Sequence, residues 1–150
     1  MNRILGYFAE FVFLQDWVAP ADYFRTWWDL SRFYSKSIFL PELNNEDAIK
    51  DENQTSKLEG LTNFGLWMWE DDWTVFPKQS EWFGAFNEHR QIVMMKDQQF
   101  YQENWLGLKT LYESGRMFFY KGPGAHMYVD EFMVNTYLVP LLLDETPAPS

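Results

Sequence analysis

Two short, uninterrupted apolar segments limit the folds available to this chain more than any other feature. Residues 64–69 read FGLWMW, residues 117–120 read MFFY, and polar or turn-forming residues follow both at once. Such runs are typical of strands that are buried on both faces of a parallel sheet. Residues 92–95 (IVMM) are a third candidate strand. Buried strands need helices to cover the sheet, so these segments predict an α/β fold.

Helical patterns separate the candidate strands. Apolar residues recur every three or four positions over residues 101–112, which predicts an amphipathic helix, and Gly115 follows in the position of a left-handed cap. A later helix is predicted to begin at Asp130, whose carboxylate can cap free amides, and to be disturbed by Pro140. Residues 1–16 also show helical spacing.

The composition argues against several classes of function. The formal net charge is −10 and the isoelectric point is about 4.5, so the chain repels phosphate backbones and no nucleic-acid partner is expected. There is no cysteine and there are two histidines, which excludes zinc–thiolate and multi-histidine sites. The three consecutive acids at 70–72 cannot all face one point, so we predict no metal and no cofactor.

The amino-terminal residues raise the question of a secretory signal. Residues 1–14 are mostly apolar, and Ala19-Pro20-Ala21 has the small residues of a cleavage site, but Glu10 interrupts the apolar stretch. We favour a helix, which predicts that the chain as written stays in the cytosol. Asn53 begins a glycosylation sequon, usable only in the secretory pathway. No apolar run reaches the roughly 20 residues of a membrane span, so none is predicted.

An acid and a histidine occupy corresponding places after two of the predicted strands. Asp72 follows the segment 64–69, and His126 follows the segment 117–120. Parallel strands would bring both side chains to the carboxyl edge of the sheet, where chemistry gathers in α/β folds. A carboxylate there can fix the tautomer of an imidazole and stabilise its protonated form. The competing interpretation is that both are ordinary loop residues, as we predict for the other histidine, His89.

Five segments together resemble the palmitoyl-protein thioesterases. The resemblance covers roughly residues 17–143, with the family's order and spacing, and is carried by residues 18–24, 37–46, 80–84, 105–111 and 124–126. It implies an α/β-hydrolase fold and hydrolysis of long-chain acyl thioesters of cysteine, typically in the lysosome. It also implies a lid-like helical segment at residues 1–60, a hydrolase core segment at 61–143 and a disordered tail at 144–150, within a single domain.

The resemblance also implies roles for individual residues. Asp72 matches the acid and His126 the base of a Ser-His-Asp triad, and Pro77, five positions after the acid as in the family, selects Asp72 over Asp71. Trp73 departs from the small hydroxyl residue that usually follows this acid. The lid region suggests an acyl groove, for which ordinary core packing is the competing role. Its candidate residues are Trp17, Tyr23, Phe24 and Phe39.

The nucleophile of that family has no match in this sequence. No serine lies in the Gly-x-Ser-x-Gly pattern of the nucleophile elbow, so the chain resembles the carboxyl-terminal half of such an enzyme with the end of its lid, an incomplete α/β-hydrolase. We expect it to be inactive alone. Its strand at 64–69 is then expected to have an unpaired edge, which favours self-association or pairing with a complementing amino-terminal half. The alternative is a non-catalytic module that binds an acyl group or a protein.

Overall fold

The computed structural model describes residues 25, 29–37 and 39–143. The chain divides into two compact units. The first contains the described residues up to Asp51 together with Phe86–Gln91, and the second contains Glu52–Ala85 and the described residues from Ile92 onward. The predicted helix over residues 1–16 and the predicted tail at 144–150 lie outside the described residues.

The first unit contains two short helices, α1 (Leu30–Lys36) and α2 (Leu40–Leu43). Phe33 is buried, and the guanidinium of Arg25 lies 5.6 Å from the centre of its ring. The same guanidinium pairs with the carboxylate of Glu46 at 3.3 Å. The Asn45 side chain accepts a hydrogen bond from Asp51 N at 2.8 Å. These polar contacts fix the loop that follows α2.

The second unit is organised by two parallel strands. Strand β1 (Phe64–Trp69) pairs with β4 (Met117–Gly122), in a register that aligns Phe64 with Met117 and Trp69 with Gly122. The two apolar segments are thus both strands, as predicted, and they run parallel, but most of their side chains are half-buried where full burial on both faces was expected. Strands β2 (Ala85–Phe86) and β3 (Ile92–Val93) have two residues each. The predicted strand at 92–95 is therefore too long, because Met95 turns into the buried core and begins the 3-10 helix Met95–Asp97.

Hydrogen bonds at both ends of the pair fix its register. At the start, Arg116 Nη1 donates to Glu59 O at 2.7 Å and Leu61 O at 2.6 Å, while Phe64 N donates to Arg116 O at 2.8 Å. At the far end, Glu70 N donates to Gly122 O at 2.9 Å. A shift by one residue would break these contacts and move every side chain to the opposite face.

The remaining helices are short and surround this pair. They are α3 (Glu52–Glu59), the 3-10 helix Lys78–Trp82, α4 (Gln99–Gln102), α5 (Leu108–Glu113), α6 (Glu131–Met133), a π-helical segment (Val134–Leu138) and α7 (Val139–Leu142). Asp130 caps α6 by accepting a hydrogen bond from Met133 N at 2.8 Å, as predicted. The π segment lies just before Pro140, which has no amide hydrogen, so the predicted disturbance is present.

The continuous helix predicted over residues 101–112 is wrong, because the chain breaks between α4 and α5. Asn104 has a positive φ of 57° and accepts a hydrogen bond from Lys109 N at 3.1 Å, which favours a new helix start. Gly107 also has a positive φ, of 79°, and a Cβ there would clash with Glu59 and lie 3.0 Å from Thr55 O. This close approach of α5 to α3 depends on contacts that periodicity does not reveal. The predicted left-handed conformation of Gly115 is confirmed.

The core of the second unit lies between the strands and the helices α4 and α5. Its buried side chains are Met95, Tyr101, Leu106, Leu108, Leu111 and Met117. Leu108 and Leu111 are completely buried. Phe64, Leu66 and Phe119 pack against this cluster from β1 and β4, so burial of α5 holds the paired strands in place. Among the described residues, none of the helices has the length and apolarity needed to cross a bilayer.

We expect Leu111→Ala to destabilise the chain by about 2–5 kcal/mol, because it opens a cavity in a site with no exposure. The exposed Leu142 provides the matched control, since Leu142→Ala removes the same atoms without a cavity. Urea unfolding followed by tryptophan fluorescence measures both changes. Equal losses of stability in the two variants would contradict this description of the core.

Candidate active site

The strand pairing continues into the loops after β1 and β4. Asp71 N donates to Gly124 O at 3.0 Å, two residues beyond the end of each strand. Gly124 has a φ of +95°, and a Cβ at this position would lie 3.1 Å from the Tyr128 ring. A glycine therefore lets the second loop turn sharply against Tyr128. The two loops leave the sheet side by side, at the edge where the sequence predicted an acid and a histidine.

Asp72 and His126 make direct contact at this edge. His126 Nδ1 lies 2.6 Å from Asp72 Oδ2. The Asp72 side chain is fully buried, whereas one third of the His126 side chain is exposed. Because Asp72 occupies Nδ1, the neutral imidazole carries its proton on that nitrogen and leaves Nε2 as the basic atom. The predicted closeness of these two side chains is present, while their catalytic role remains a prediction.

Backbone amides hold the Asp72 carboxylate. Its Oδ1 accepts hydrogen bonds from Thr74 N at 2.7 Å and from Val75 N at 3.0 Å. Burial opposes ionisation of Asp72, but the hydrogen bonds from Val75, His126 and Thr74 outweigh it and hold the pKa below its usual value. The carboxylate therefore stays charged and oriented toward the imidazole.

Trp69 and Glu81 also lie next to the Asp72–His126 pair, although no role was predicted for them from the sequence. The Trp69 indole Nε1 donates to Tyr128 O at 2.7 Å, and its ring meets His126 edge-on with centroids 6.3 Å apart. The backbone N of Trp69 donates to Glu81 Oε2 at 3.2 Å. The sequence did contain one indication of Glu81, because this residue belongs to the segment 80–84, which carries part of the family resemblance.

The carboxyl group of Glu81 has an altered acidity. Burial, a hydrogen bond to Asp72 and the negative charge of Asp72 raise the pKa of Glu81 to about 7, although the hydrogen bond from Trp69 N and the proximity of His126 act in the opposite direction. Glu81 is thus a neutral carboxyl group in acidic solution. It begins to lose its proton near neutrality.

The same three side chains have a spacing compatible with a metal ion. Asp72, Glu81 and His126 each offer one ligand atom, and these atoms lie within 4.8 Å of one another. Protein hydrogen bonds already engage these side chains: Asp72 Oδ1 with two amides, Asp72 Oδ2 with the imidazole and Glu81 Oε2 with Trp69 N. We therefore interpret the cluster as a hydrogen-bonded group of acids and a base.

The other predicted site residues lie elsewhere. Asp71, the rival acid, is exposed, and Glu70 pairs with Lys121 at 2.7 Å, so the three consecutive acids diverge. Trp73 is 93% exposed, which leaves the turn after Asp72 undistorted by its bulk. His89 is exposed and lies 3.4 Å from Glu88, in agreement with a solvated loop residue.

The remaining predictions concern the acyl groove and glycosylation. Phe39 is partly exposed in the first unit. Trp17, Tyr23 and Phe24, the other three groove candidates, lie outside the described residues. Asn53 is an exposed residue of α3. Its glycosylation stays a prediction.

Comparison with known proteins identifies the family. The model of the palmitoyl protein thioesterase family matches residues 3–126, a range that contains Asp72, Glu81 and His126. The chain belongs to this family. The resemblance seen in the sequence is thereby confirmed, and the parallel strand pair with its helices is compatible with the α/β-hydrolase fold of the palmitoyl-protein thioesterases.

Individual relatives are similar over most of the chain. Palmitoyl-protein thioesterase 3 of Dictyostelium discoideum is 31% identical over 128 residues, which are 84% of this chain and 44% of that protein. Palmitoyl-protein thioesterase 1 of Caenorhabditis elegans is 33% identical over 133 residues, covering 86% and 44%. Lysosomal thioesterase PPT2-B of Xenopus laevis is 34% identical over 111 residues, covering 72% and 38%. The chain thus spans less than half the length of these relatives.

We expect Asp72→Asn to change the tautomer of His126. The amide oxygen of the asparagine would keep the Thr74 and Val75 hydrogen bonds, so its NH2 group would face the imidazole and move the ring proton to Nε2. Nitrogen-15 NMR of the imidazole measures this change. Asp71→Asn is the control, because Asp71 is exposed and makes its hydrogen bond through the backbone. An unchanged tautomer in Asp72→Asn would contradict the proposed pairing.

Proposed function

We propose that this chain provides the acid and the base of a thioester hydrolase of the palmitoyl-protein thioesterase type. The observation that carries the proposal is the hydrogen bond between His126 Nδ1 and Asp72 Oδ2 at the carboxyl edge of a parallel strand pair. Membership of the family supports the substrate class, a long-chain acyl thioester. A non-catalytic binding module would have no need of a buried carboxylate that orients an imidazole with one third of its side chain exposed.

The geometry of the pair fits general base catalysis. Nε2 of His126 takes the proton of a serine hydroxyl as the oxygen attacks the thioester carbonyl, and the imidazolium then donates it to the departing thiolate. Water hydrolyses the acyl-enzyme through the same base. Throughout, Asp72 retains its negative charge and stabilises the imidazolium, which is the role suited to a carboxylate held charged by two amides.

The serine is proposed to lie outside these 150 residues. None of the serines in the sequence has the Gly-x-Ser-x-Gly surroundings, and the curated relatives are more than twice as long as their matched parts. Residues 61–143 would then form the carboxyl-terminal part of the hydrolase core, and residues 1–60 a lid-like segment. The lysosomal name of the Xenopus relative supports a lysosomal location in place of the cytosolic one expected from the amino-terminal residues.

Strand β1 offers a place for the missing polypeptide. In the described residues it pairs with β4 alone. The backbone amides of Phe64 and Glu70 point toward β4. The backbone amides of the alternate residues Gly65, Trp67 and Trp69 therefore point to the opposite edge of β1. We propose that a strand of the segment bearing the nucleophile pairs with this edge, and that a second copy of the chain competes for it when that segment is absent.

The proposal predicts restored hydrolysis on complementation. A family-derived amino-terminal segment containing the Gly-x-Ser-x-Gly elbow is supplied, either mixed with the chain or fused ahead of it, and release of palmitate from a palmitoyl-cysteine peptide is followed. The chain alone is expected to give no release. His126→Ala should lower the restored rate at least about 1,000-fold, because it removes the base of a cooperative group.

His89→Ala is the matched control for this experiment. It removes the other histidine of the chain, whose exposed side chain lies 3.4 Å from a neighbouring glutamate. Its rate should equal that of the unmodified chain. Hydrolysis that survives His126→Ala at the full rate would refute the assignment of the base.

A further inference from the structure

Glu81 is placed next to the acid–base pair by a rigid turn. It lies in the 3-10 helix Lys78–Trp82, which is closed by hydrogen bonds from Ser80 N to Pro77 O at 2.9 Å and from Phe83 N to Ser80 O at 3.0 Å. Its Oε2 accepts from Trp69 N at 3.2 Å, at the last position of β1. The carboxyl group is thus held between the end of β1 and Asp72, and one of its oxygens lies within 4.8 Å of the Asp72 carboxylate.

Two carboxyl groups within 4.8 Å of each other, one of them fully buried, repel strongly when both are charged, so one of them holds a proton. Asp72 receives hydrogen bonds from Thr74 N, Val75 N and His126, all of which favour its charged form. Among the described residues, Glu81 receives one backbone hydrogen bond, from Trp69 N at 3.2 Å. The proton therefore belongs to Glu81, whose second oxygen is left to donate it to Asp72.

We propose that Glu81 is a positioning residue of the hydrolase, whose neutral carboxyl group donates a hydrogen bond to Asp72 and keeps that carboxylate directed at His126. The inference rests on the proposed function only for its catalytic meaning. The hydrogen bond and the location of the proton are properties of the chain itself.

The arrangement depends on pH in a defined direction. The titratable groups that act on Glu81 are Asp72, from the loop after β1, and His126, from the loop after β4. Lys78, on the same 3-10 helix, donates instead to Glu70 O at 2.6 Å. As the pH rises through the Glu81 pKa of about 7, the donor is lost and a second negative charge develops beside the pair. The geometry is therefore best maintained in acidic and neutral solution.

The raised pKa of Glu81 also makes the free energy of folding depend on pH. The folded chain holds the Glu81 proton more tightly than the unfolded chain, in which the pKa is near 4.5. Stability from this group is therefore complete below pH 4.5 and decreases as the pH rises toward 7. In that interval the folding equilibrium constant should fall by up to about tenfold per pH unit relative to a variant with no titrating group at position 81.

Carbon-13 NMR of the side-chain carboxyl groups in the full 150-residue chain tests the location of the proton. The Glu81 carboxyl should titrate with a midpoint near 7. In Glu81→Gln the amide keeps both hydrogen bonds without titrating, so the loss of folding stability between pH 4.5 and 7, measured by urea unfolding, should be smaller than in the unmodified chain. Glu70→Gln, an exposed acid paired with Lys121, should leave the Glu81 midpoint and this pH dependence unchanged.

Two results would overturn the inference. One is a Glu81 midpoint close to the ordinary value of 4.5. The other is an identical pH dependence of folding stability between pH 4.5 and 7 in the unmodified chain and in Glu81→Gln, which is what a residue that only caps the Trp69 amide would give. Glu81→Ala serves as a further comparison, because it removes both hydrogen bonds and should disturb the imidazole resonances at every pH.

The activity of the complemented enzyme tests whether Glu81 contributes to catalysis. Glu81→Gln should lower kcat less than Glu81→Ala does and should lose the decline of activity that begins near pH 7, whereas Glu81→Ala should lower kcat by about 10- to 100-fold with little change in KM. If no complemented mixture hydrolyses the thioester, the proposed function fails, and the NMR titration still decides whether Glu81 holds the proton.

Discussion

The parallel pairing of β1 with β4 is the constraint on which the candidate site depends. Its register is closed by Arg116 at one end and by the amides of Glu70 and Asp71 at the other. The loops that carry Asp72 and His126 therefore leave the sheet side by side, although the two residues are 54 positions apart in the chain. A hydrogen bond between them requires no further rearrangement, because the strands have already brought their backbones together.

Electrostatics then distinguishes the two acids at this edge. Asp72 and Glu81 lie side by side in a partly buried region, yet the backbone amides of Thr74 and Val75 donate to Asp72 and not to Glu81. In the proposed arrangement one charged carboxylate and one neutral carboxyl group lie within 4.8 Å of each other and together present a single negative charge to the imidazole. The different hydrogen bonds and burial of the two carboxyl groups, more than the different lengths of their side chains, determine which of them is charged.

The sequence was informative where a side chain's position follows from its own strand. The apolar runs located β1 and β4, and the polar residues immediately after them located Asp72 and His126. The break at Asn104 and Gly107 was not predictable, because it depends on packing against Glu59 from a distant helix. Glu81 was missed for the same reason: a 3-10 turn brings it to Asp72, and no periodicity indicates such a contact. The groove residues Trp17, Tyr23 and Phe24 stay predictions.

The hydrogen bond from Trp69 N to Glu81 has a consequence for how long a neighbouring strand can be. Along the open edge of β1, the amides of Gly65 and Trp67 have no backbone partner among residues 29–37 and 39–143, but the amide of Trp69 already donates to the Glu81 side chain. Any strand added there must leave the ladder after Trp67, one alternate position short of the strand's end. The residues that follow in the added strand then turn away from β1 beside the imidazole. Glu81 therefore determines where along β1 the added strand ends.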